Sequence, residues 1–310
     1  MRLTDDRGNQ VSGSLSVPVT AKGAQQPDIQ PVGVRLTSVK WTPDGQALLL
    51  TVMKVDPTTQ APVGRKLIKF DLRTREAEEL SISGGNLAMS PDGKTIAFVK
   101  RNERNQSDIY FYDIQTKKET ALAVDALNKN NPNWSPDGKR LAYNIDAKKI
   151  EGETVIEICV VDLATRQVEQ ITNTGKYRSY SPKWSPGGNE IVYFLEKGDK
   201  HDQIYLTNLH GTFHRNLTND MASQNYAPAW IDAETISYTR NPNEIMTIKK
   251  EGGTPELVAG VHANLFQYSQ ATKRAVYVVG EESRTLMLYD WRKKTDTILI
   301  DSQGILNLIK

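Results

Sequence analysis

Cysteine and histidine are scarce in this sequence. The single cysteine, Cys159, excludes an internal disulfide and a cysteine-rich zinc site. Four histidines leave few imidazole ligands for a metal centre. The chain also lacks the GxSxG, HExxH, P-loop and GxGxxG motifs that mark serine hydrolases, zinc peptidases and nucleotide-binding enzymes. We therefore predict no catalytic residues, no metal site and no cofactor.

The chain has no excess of one charge and no long apolar run. It contains 39 Lys and Arg against 37 Asp and Glu, a formal net charge of +2. This balance argues against a nucleic-acid partner, which a basic surface would attract. No apolar run reaches the ~18 residues of a membrane span, and the polar start MRLTDDRGNQ is unlike a signal peptide. We expect neither membrane insertion nor a signal peptide in this chain.

One short phrase recurs six times along the chain. Its copies open at Trp41 (WTPDG), Met89 (MSPDG), Trp134 (WSPDG), Trp184 (WSPGG), Trp230 (WIDAE) and Tyr268 (YSQAT). The spacing of about 45 residues is typical of a four-stranded propeller blade. Pro followed by Asp and Gly is typical of a turn that closes a hairpin. We therefore interpret Asp44, Asp92 and Asp137 as turn residues rather than metal ligands or catalytic carboxylates.

A strand with two large apolar positions follows each turn. These pairs are Leu48 and Leu50, Ile96 and Phe98, Leu141 and Tyr143, Ile191 and Tyr193, Ile236 and Tyr238, and Ala275 and Tyr277. Because alternate residues of a strand share one face, we predict that both columns pack between neighbouring blades. A third strand ends in a mostly polar column: Asp71, Asp113, Asp162, Asn208, Lys249 and Asp290. We expect the Asp and Asn members to hydrogen-bond the backbone of the next turn.

The repeats predict an all-β fold, a six-bladed β-propeller of four-stranded antiparallel blades, over residues 34–304. Residues 1–33 form an N-terminal extension with one alternating, strand-like stretch, and residues 305–310 are predicted as a C-terminal strand. Either end could close the ring, and the sequence leaves both options open.

The repeats also resemble those of a known family. NPNWSPDGKRLAY, SPKWSPGGNEIVYF and APAWIDAETISYT are similar to the WD-like propeller repeats of the TolB family, over residues 34–304. The resemblance implies the propeller fold, a protein or peptide partner and an extracytoplasmic (periplasmic) setting. TolB proteins carry an α/β domain ahead of the propeller, for which this chain has no room. The resemblance therefore indicates a TolB-like propeller rather than a complete counterpart.

The predicted binding site is the mouth of the central channel opposite the turns. Because the innermost strand of each blade runs towards the turn, residues upstream of its opening residue lie at that mouth. The predicted ligand-binding residues are Asn130, Asn131, Tyr180, Ser181, Tyr226, His262 and Asn264. The tyrosines would anchor a ligand and the asparagines would orient its backbone. The alternative is that these groups only satisfy neighbouring loops and channel water.

Other candidate residues have plainer interpretations. His210 and His214 have a spacing suited to a metal on a helix, but they lie at a turn on the outer rim. Cys159 lies within the strand IEICVVD, which favours a buried hydrophobe over a reactive thiol.

We predict a monomeric, non-enzymatic binding scaffold that engages a protein, a peptide or a small polar ligand at the channel mouth. The alternatives are a metal-dependent propeller enzyme such as a polysaccharide lyase, a peptidase propeller, or an accessory or sensor module of a larger protein. A lyase would require several histidines converging in the channel, and only His262 is placed for that.

Overall fold

The computed structural model describes residues 33–56, 58–198, 201–220, 222–241, 243–262, 264–279 and 285–308, without the side chains of residues 259–264. Within these ranges the chain forms twenty-four strands and one short helix. Four consecutive strands make up a unit, and the first, innermost strand of each unit ends at or next to one of the recurring opening residues.

The first three units follow one another between Val34 and Gln170. Unit 1 comprises β1 (Val34–Trp41), β2 (Ala47–Val55), β3 (Pro62–Asp71) and β4 (Ala77–Leu80). Unit 2 comprises β5 (Gly85–Met89), β6 (Thr95–Arg101), β7 (Ser107–Asp113) and β8 (Glu119–Ala121). Unit 3 comprises β9 (Lys129–Trp134), β10 (Arg140–Ile150), β11 (Glu153–Asp162) and β12 (Val168–Gln170).

Three further units repeat this order. Unit 4 comprises β13 (Arg178–Trp184), β14 (Glu190–Glu196), β15 (Gln203–Asn208) and β16 (His214–Asn216). Unit 5 comprises β17 (Asn225–Trp230), β18 (Thr235–Arg240), β19 (Glu244–Lys249) and β20 (Glu256–His262). Unit 6 comprises β21 (Asn264–Ser269), β22 (Arg274–Val279), β23 (Thr285–Asp290) and β24 (Thr295–Ile300).

The sheets are antiparallel meanders of consecutive strands. Units 1, 2, 5 and 6 each form a separate four-stranded sheet. Units 3 and 4 share one eight-stranded sheet because β11 and β13 meet in a parallel bridge between Ile156 and Arg178. On either side of that bridge the pairing stays antiparallel and sequential. The described chain is therefore an all-β propeller of four-stranded antiparallel sheets.

The two apolar columns of the second strands form the core, as predicted. Every member is at most 3% exposed. Hydrophobic clusters lie between neighbouring units: Phe98 of unit 2, for example, packs with Leu49 of unit 1. Another cluster joins the two ends of the repeat array, since Val276 of unit 6 packs with Leu48 of unit 1. Burial of this apolar surface between sheets is the main force that holds the units together.

The recurring turns are closed by their own side chains, which confirms their structural interpretation. Asp137 accepts hydrogen bonds from the Ser135 hydroxyl (2.6 Å) and the Lys139 backbone N–H (3.1 Å). Gly138 follows with a φ of +71°, a conformation that glycine adopts without steric cost. Asp44 and Asp92 make the same contacts in units 1 and 2. The polar column behaves as predicted at Asp71, Asp113, Asp162, Asn208 and Asp290, which accept bonds from turn N–H groups.

The innermost strands carry a bulge that the sequence pattern does not reveal. Three residues before the opening residue of units 2 to 6, the backbone turns to a φ between +49° and +53°, at Asn86, Asn131, Ser181, Ala227 and Leu265. The pairing register with the second strand shifts at the same places. Bulges of this kind redirect side chains. Two of the bulged residues, Asn131 and Ser181, belong to the predicted mouth.

The C-terminal prediction was wrong, because the last segment is a helix. Helix α1 (Ser302–Asn307) is capped by the Asp301 carboxylate, which accepts a hydrogen bond of 2.7 Å from the Gly304 N–H. Ile305 is fully buried in the cluster between units 6 and 1. The tail therefore packs against units 1 and 6 and adds no strand to them up to residue 308. In the described ranges, no helix has the length and apolar character to cross a bilayer. The strand-like stretch predicted near the N-terminus lies outside the described residues.

Candidate functional site: the turn-side end of the central channel

Indole hydrogen bonds connect the innermost strands around the channel. In each case a tryptophan that opens the recurring phrase donates its ring N–H to a backbone carbonyl of the unit before it. That carbonyl belongs to the residue immediately before the opening residue of that unit. The bonds run from Trp134 to Ala88, Trp184 to Asn133, Trp230 to Lys183 and Trp41 to Gln267, at 3.0–3.1 Å. The last of these joins unit 1 to unit 6. The tryptophans thus fix the spacing between units at the channel wall.

A cavity of about 360 Å³ lies at the turn-side end of the channel. Every unit contributes its innermost strand to the wall. Its lining includes the four opening tryptophans and Tyr268, with Pro136 and Pro186 from the turns. Aromatic walls with a few polar groups are typical of ligand sites.

One column of residues supplies both charged side chains of this cavity and two of its amides. It lies immediately before each opening residue and consists of Lys40, Ala88, Asn133, Lys183, Ala229 and Gln267. The sequence analysis did not single out this column. From unit 1 to unit 6 its residue types follow the order cationic, small, amide, which then repeats once. The column could have been predicted from the sequence, because it occupies the same position before the opening residue in every repeat.

Lys40 and Lys183 carry the charge of the cavity. Burial lowers the pKa of Lys40, whose ammonium is 3.5 Å from the Gln267 side-chain oxygen. Burial, and then the positive charge of Lys40, lower the pKa of Lys183 to about 7. Both shifts have the sign expected for a cation taken from water without a compensating anion.

The other candidate residues are held in structural contacts. His214 Nδ1 lies 3.0 Å from the Tyr193 hydroxyl, and burial lowers the pKa of this imidazole. His210 lies exposed, 3.1 Å from Glu169. Burial raises the pKa of the Cys159 thiol to about 12, which suppresses the thiolate. Among the described residues, no three His, Cys, Asp or Glu side chains are grouped closely enough to hold a metal ion.

Sequence comparison finds partial relatives. No protein-family model matches the chain. The Tol-Pal system protein TolB of Francisella tularensis is 27% identical over 186 residues, which are 58% of this chain and 40% of that protein. Dipeptidyl-peptidase 5 of Porphyromonas gingivalis is 22% identical over 185 residues, 56% of this chain and 27% of that protein. The chain thus spans well under half the length of these curated relatives.

Solved structures match over most of the chain. TolB from Acinetobacter baumannii has a TM-score of 0.59 and 20% identity, covering 85% of this chain and 62% of that one. The chain has a TolB-like propeller fold. An oligogalacturonate lyase in complex with manganese reaches a TM-score of 0.62 at 16% identity, covering 87% and 78%. At these identities the likeness establishes the fold, which binding proteins and enzymes share.

Three of the predicted mouth residues in this TolB-like propeller form hydrogen bonds with asparagines outside the predicted set. The Asn131 amide donates to Asn144 Oδ1 (3.0 Å), and the same oxygen accepts the Ser181 N–H (3.3 Å). Asn130 accepts a long bond of 3.4 Å from Asn86 of unit 2. These contacts are compatible with the alternative interpretation, in which the polar groups only satisfy neighbouring loops and channel water. They do not test ligand binding.

The aromatic members of the predicted set are not brought together. Tyr180 stacks on Phe194 of its own unit, with ring centroids 5.3 Å apart. Tyr226 is half-buried in unit 5, and no ring contact joins it to Tyr180. The side chains of His262 and Asn264 lie outside the described part of the structure. The predicted mouth therefore stays a prediction, while the described cavity lies nearer the turns.

Proposed function

We propose that the protein is a non-enzymatic binding scaffold that receives a protein segment or peptide in the turn-side end of its channel. The observation that carries this proposal is the cavity itself, to which all six innermost strands contribute side chains. Its aromatic walls supply apolar contact area, and Asn133 and Gln267 supply amide groups that match a peptide backbone. An extended segment fits such a site because its backbone and side chains need both kinds of contact.

We infer that the six units are six blades of one closed ring. Each unit repeats the same strand order, and an apolar cluster lies between each neighbouring pair, including units 6 and 1. The parallel bridge between β11 and β13 is a local contact between two blades in this interpretation. A closed ring presents the binding site with a rigid wall on every side.

We also propose an extracytoplasmic, periplasmic setting and a protein partner. This part of the proposal is supported by the similarity to TolB of Francisella tularensis, which is named as a Tol-Pal system protein. It is tested by fractionating the cells that make the protein and probing each fraction with an antibody.

A peptide-display selection tests the binding function. Peptides selected on the immobilised protein are measured by calorimetry against Ala229→Trp, which fills the turn-side cavity, and against Tyr180→Ala with Tyr226→Ala, which alters the predicted mouth. Val63→Trp is the matched control, since this side chain is 66% exposed. We expect Ala229→Trp to weaken binding at least about tenfold and Val63→Trp to leave it unchanged.

The variants distinguish the possible sites. Loss of binding only in the double tyrosine variant would move the site to the opposite mouth. Equal binding by all variants would place it outside the channel and contradict the proposal. Metal analysis of protein purified without chelator tests the enzymatic alternative, which stoichiometric bound manganese would favour.

A further inference from the structure

We propose that the turn-side cavity is a carboxylate site, in which Lys40 and Lys183 bind an acidic side chain or C-terminus of the peptide ligand. The proposal rests on the binding function above and specifies its ligand class. It requires two cations that line one cavity and have no anion of the protein to neutralise them.

The lining of the cavity is cationic and contains no acid. Among its eighteen residues, Lys40 and Lys183 are charged, Tyr268 is the other titratable group, and neither Asp nor Glu occurs. Arg140 approaches from outside, with its guanidinium 4.8 Å from the ring centroid of Trp184. Arg140 has acidic neighbours of its own, Asp137 and Asp162. The two lysines are therefore the charges of the lining itself, and a site of one sign attracts ligands of the other.

The two ammonium groups also lack strong partners. Lys40 reaches the neutral Gln267 at 3.5 Å, and no carboxylate of the described residues lies within 4.0 Å of either lysine. Lys129 shows the usual solution for a buried lysine in this chain, with Asp125 and Asp108 at 2.9 and 3.3 Å. Lys40 and Lys183 differ from Lys129 because neither has a carboxylate partner among the described residues.

A partly buried cation without an anion is unfavourable for folding. The protein loses hydration of the charge and gains no ion pair in return. The lowered pKa values of both lysines express this cost. A bound carboxylate removes it, because it supplies the missing charge and accepts charge-assisted hydrogen bonds. The ion pair with the bound carboxylate offsets the hydration free energy that the two lysines lose on folding.

The rest of the wall suits a carboxylate carried by a peptide. The indoles of Trp134 and Trp184 use their N–H groups within the ring of backbone bonds, so they offer apolar surface rather than donors. The neutral polar side chains of the lining are those of Asn133, Ser185, Gln267, Tyr268 and Gln270. The lysines are thus the cationic donors available to an anion, with aromatic contact area for the residues beside it.

Binding of a defined peptide pair tests the proposal. The probes are acetyl-Ala-Glu-Trp-Glu-Ala-amide and its analogue with Gln in place of both Glu, measured by calorimetry at about pH 6. We expect the acidic peptide to bind at least about tenfold more tightly, and Lys183→Met and Lys40→Met each to weaken it about 10- to 100-fold. Lys94→Met, an exposed lysine of the turn in unit 2, is the matched control and should change nothing.

The pH dependence is a second readout. Lys183 loses its proton as the pH rises through about 7, so the acidic peptide should bind about tenfold more weakly at about pH 8.5. Lys183→Met should remove most of this dependence. Its urea midpoint should equal or exceed that of the wild type, since an uncompensated charge is removed. A lower midpoint would show that the ammonium is satisfied and would overturn the proposal.

The outcomes separate this proposal from the binding function itself. Equal binding of both peptides, unaffected by the lysine variants, would refute the carboxylate site and leave the scaffold function standing. If inorganic phosphate displaces the acidic peptide at equal concentration with the same lysine dependence, the site serves small anions and the peptide assignment is wrong. Failure of every peptide, including those from the display selection, would refute both.

Discussion

The buried lysine at the start of unit 3 offers the sharpest test of the packing between units. The Lys129 side chain is fully buried, and its ammonium forms ion pairs with Asp125 (2.9 Å) and Asp108 (3.3 Å). It also donates to the backbone carbonyls of Asp125 (2.9 Å) and Leu127 (3.0 Å). Lys129→Ala removes all four contacts, and it leaves two carbonyls and the mostly buried carboxylate of Asp108 without their cation.

The expected loss is about 3–5 kcal/mol in the free energy of unfolding, which is the range for breaking one side of a buried ion pair. Urea unfolding followed by tryptophan fluorescence measures it. Lys66→Ala is the matched control: Lys66 pairs with Glu79 at 2.8 Å, but the Lys66 side chain is partly exposed (27%) and that of Glu79 is exposed (55%), so the loss should be at most about 1 kcal/mol. Lys129→Met keeps the apolar stem and should cost nearly as much as Lys129→Ala. Equal losses for Lys129→Ala and Lys66→Ala would refute the reasoning.

Three further predictions concern stability and reactivity. Trp41→Phe should cost about 1–3 kcal/mol in urea unfolding because it removes the indole hydrogen bond to the Gln267 carbonyl. Trp291→Phe should cost less, because the ring of Trp291 packs against Tyr268 and Tyr289 and its indole N–H has no hydrogen-bond acceptor among the described residues. The Ser135 hydroxyl and the Lys139 N–H lower the pKa of Asp137, so its contribution is present above about pH 4 and is lost as the pH falls through the folded pKa. Asp137→Asn should therefore flatten the fall in stability between pH 5 and pH 3, and an unchanged slope would contradict this. Cys159 should react with a disulfide reagent at pH 8 only after unfolding; rapid reaction of the native protein would be inconsistent with its burial.

The repeated features could be predicted from the sequence because their physical causes act locally. A turn such as Ser135 to Gly138 is closed by neighbouring side chains, so the residue types themselves identify it. The apolar columns follow from alternation, because only one face of each second strand is buried between sheets. Each feature also recurs, which distinguishes a pattern from chance.

The site was harder to predict because it depends on backbone geometry. The bulge puts Asn86 and Asn131 in a left-handed conformation that asparagine tolerates, but it does the same to Ser181, Ala227 and Leu265, whose types do not indicate it. A count of residues back from the opening residue assumes a regular strand. Because it leaves out the bulge, it does not place the side chains correctly along the channel.

The channel lysines and the C-terminal helix were missed for related reasons. Lys40 and Lys183 belong to different repeats, and only the three-dimensional packing of the units places their charges in one cavity. The apolar residues at Ile305, Leu306 and Leu308 are compatible with a strand or a helix, and in so short a segment the cap at Asp301 favours the helix.

The contact between the first and last units has a consequence for how the chain could be rearranged. Each described sheet consists of strands that are consecutive in sequence, and units 6 and 1 meet through side chains such as Trp41, Val276 and Ile305. Since Val34 and Ile305 lie in the same cluster, the two ends of the described chain are neighbours. A circular permutant that joins these ends and opens the chain between units 1 and 2 would keep every sheet whole. The contact between units 6 and 1 is therefore made by side-chain packing, and no described sheet crosses it.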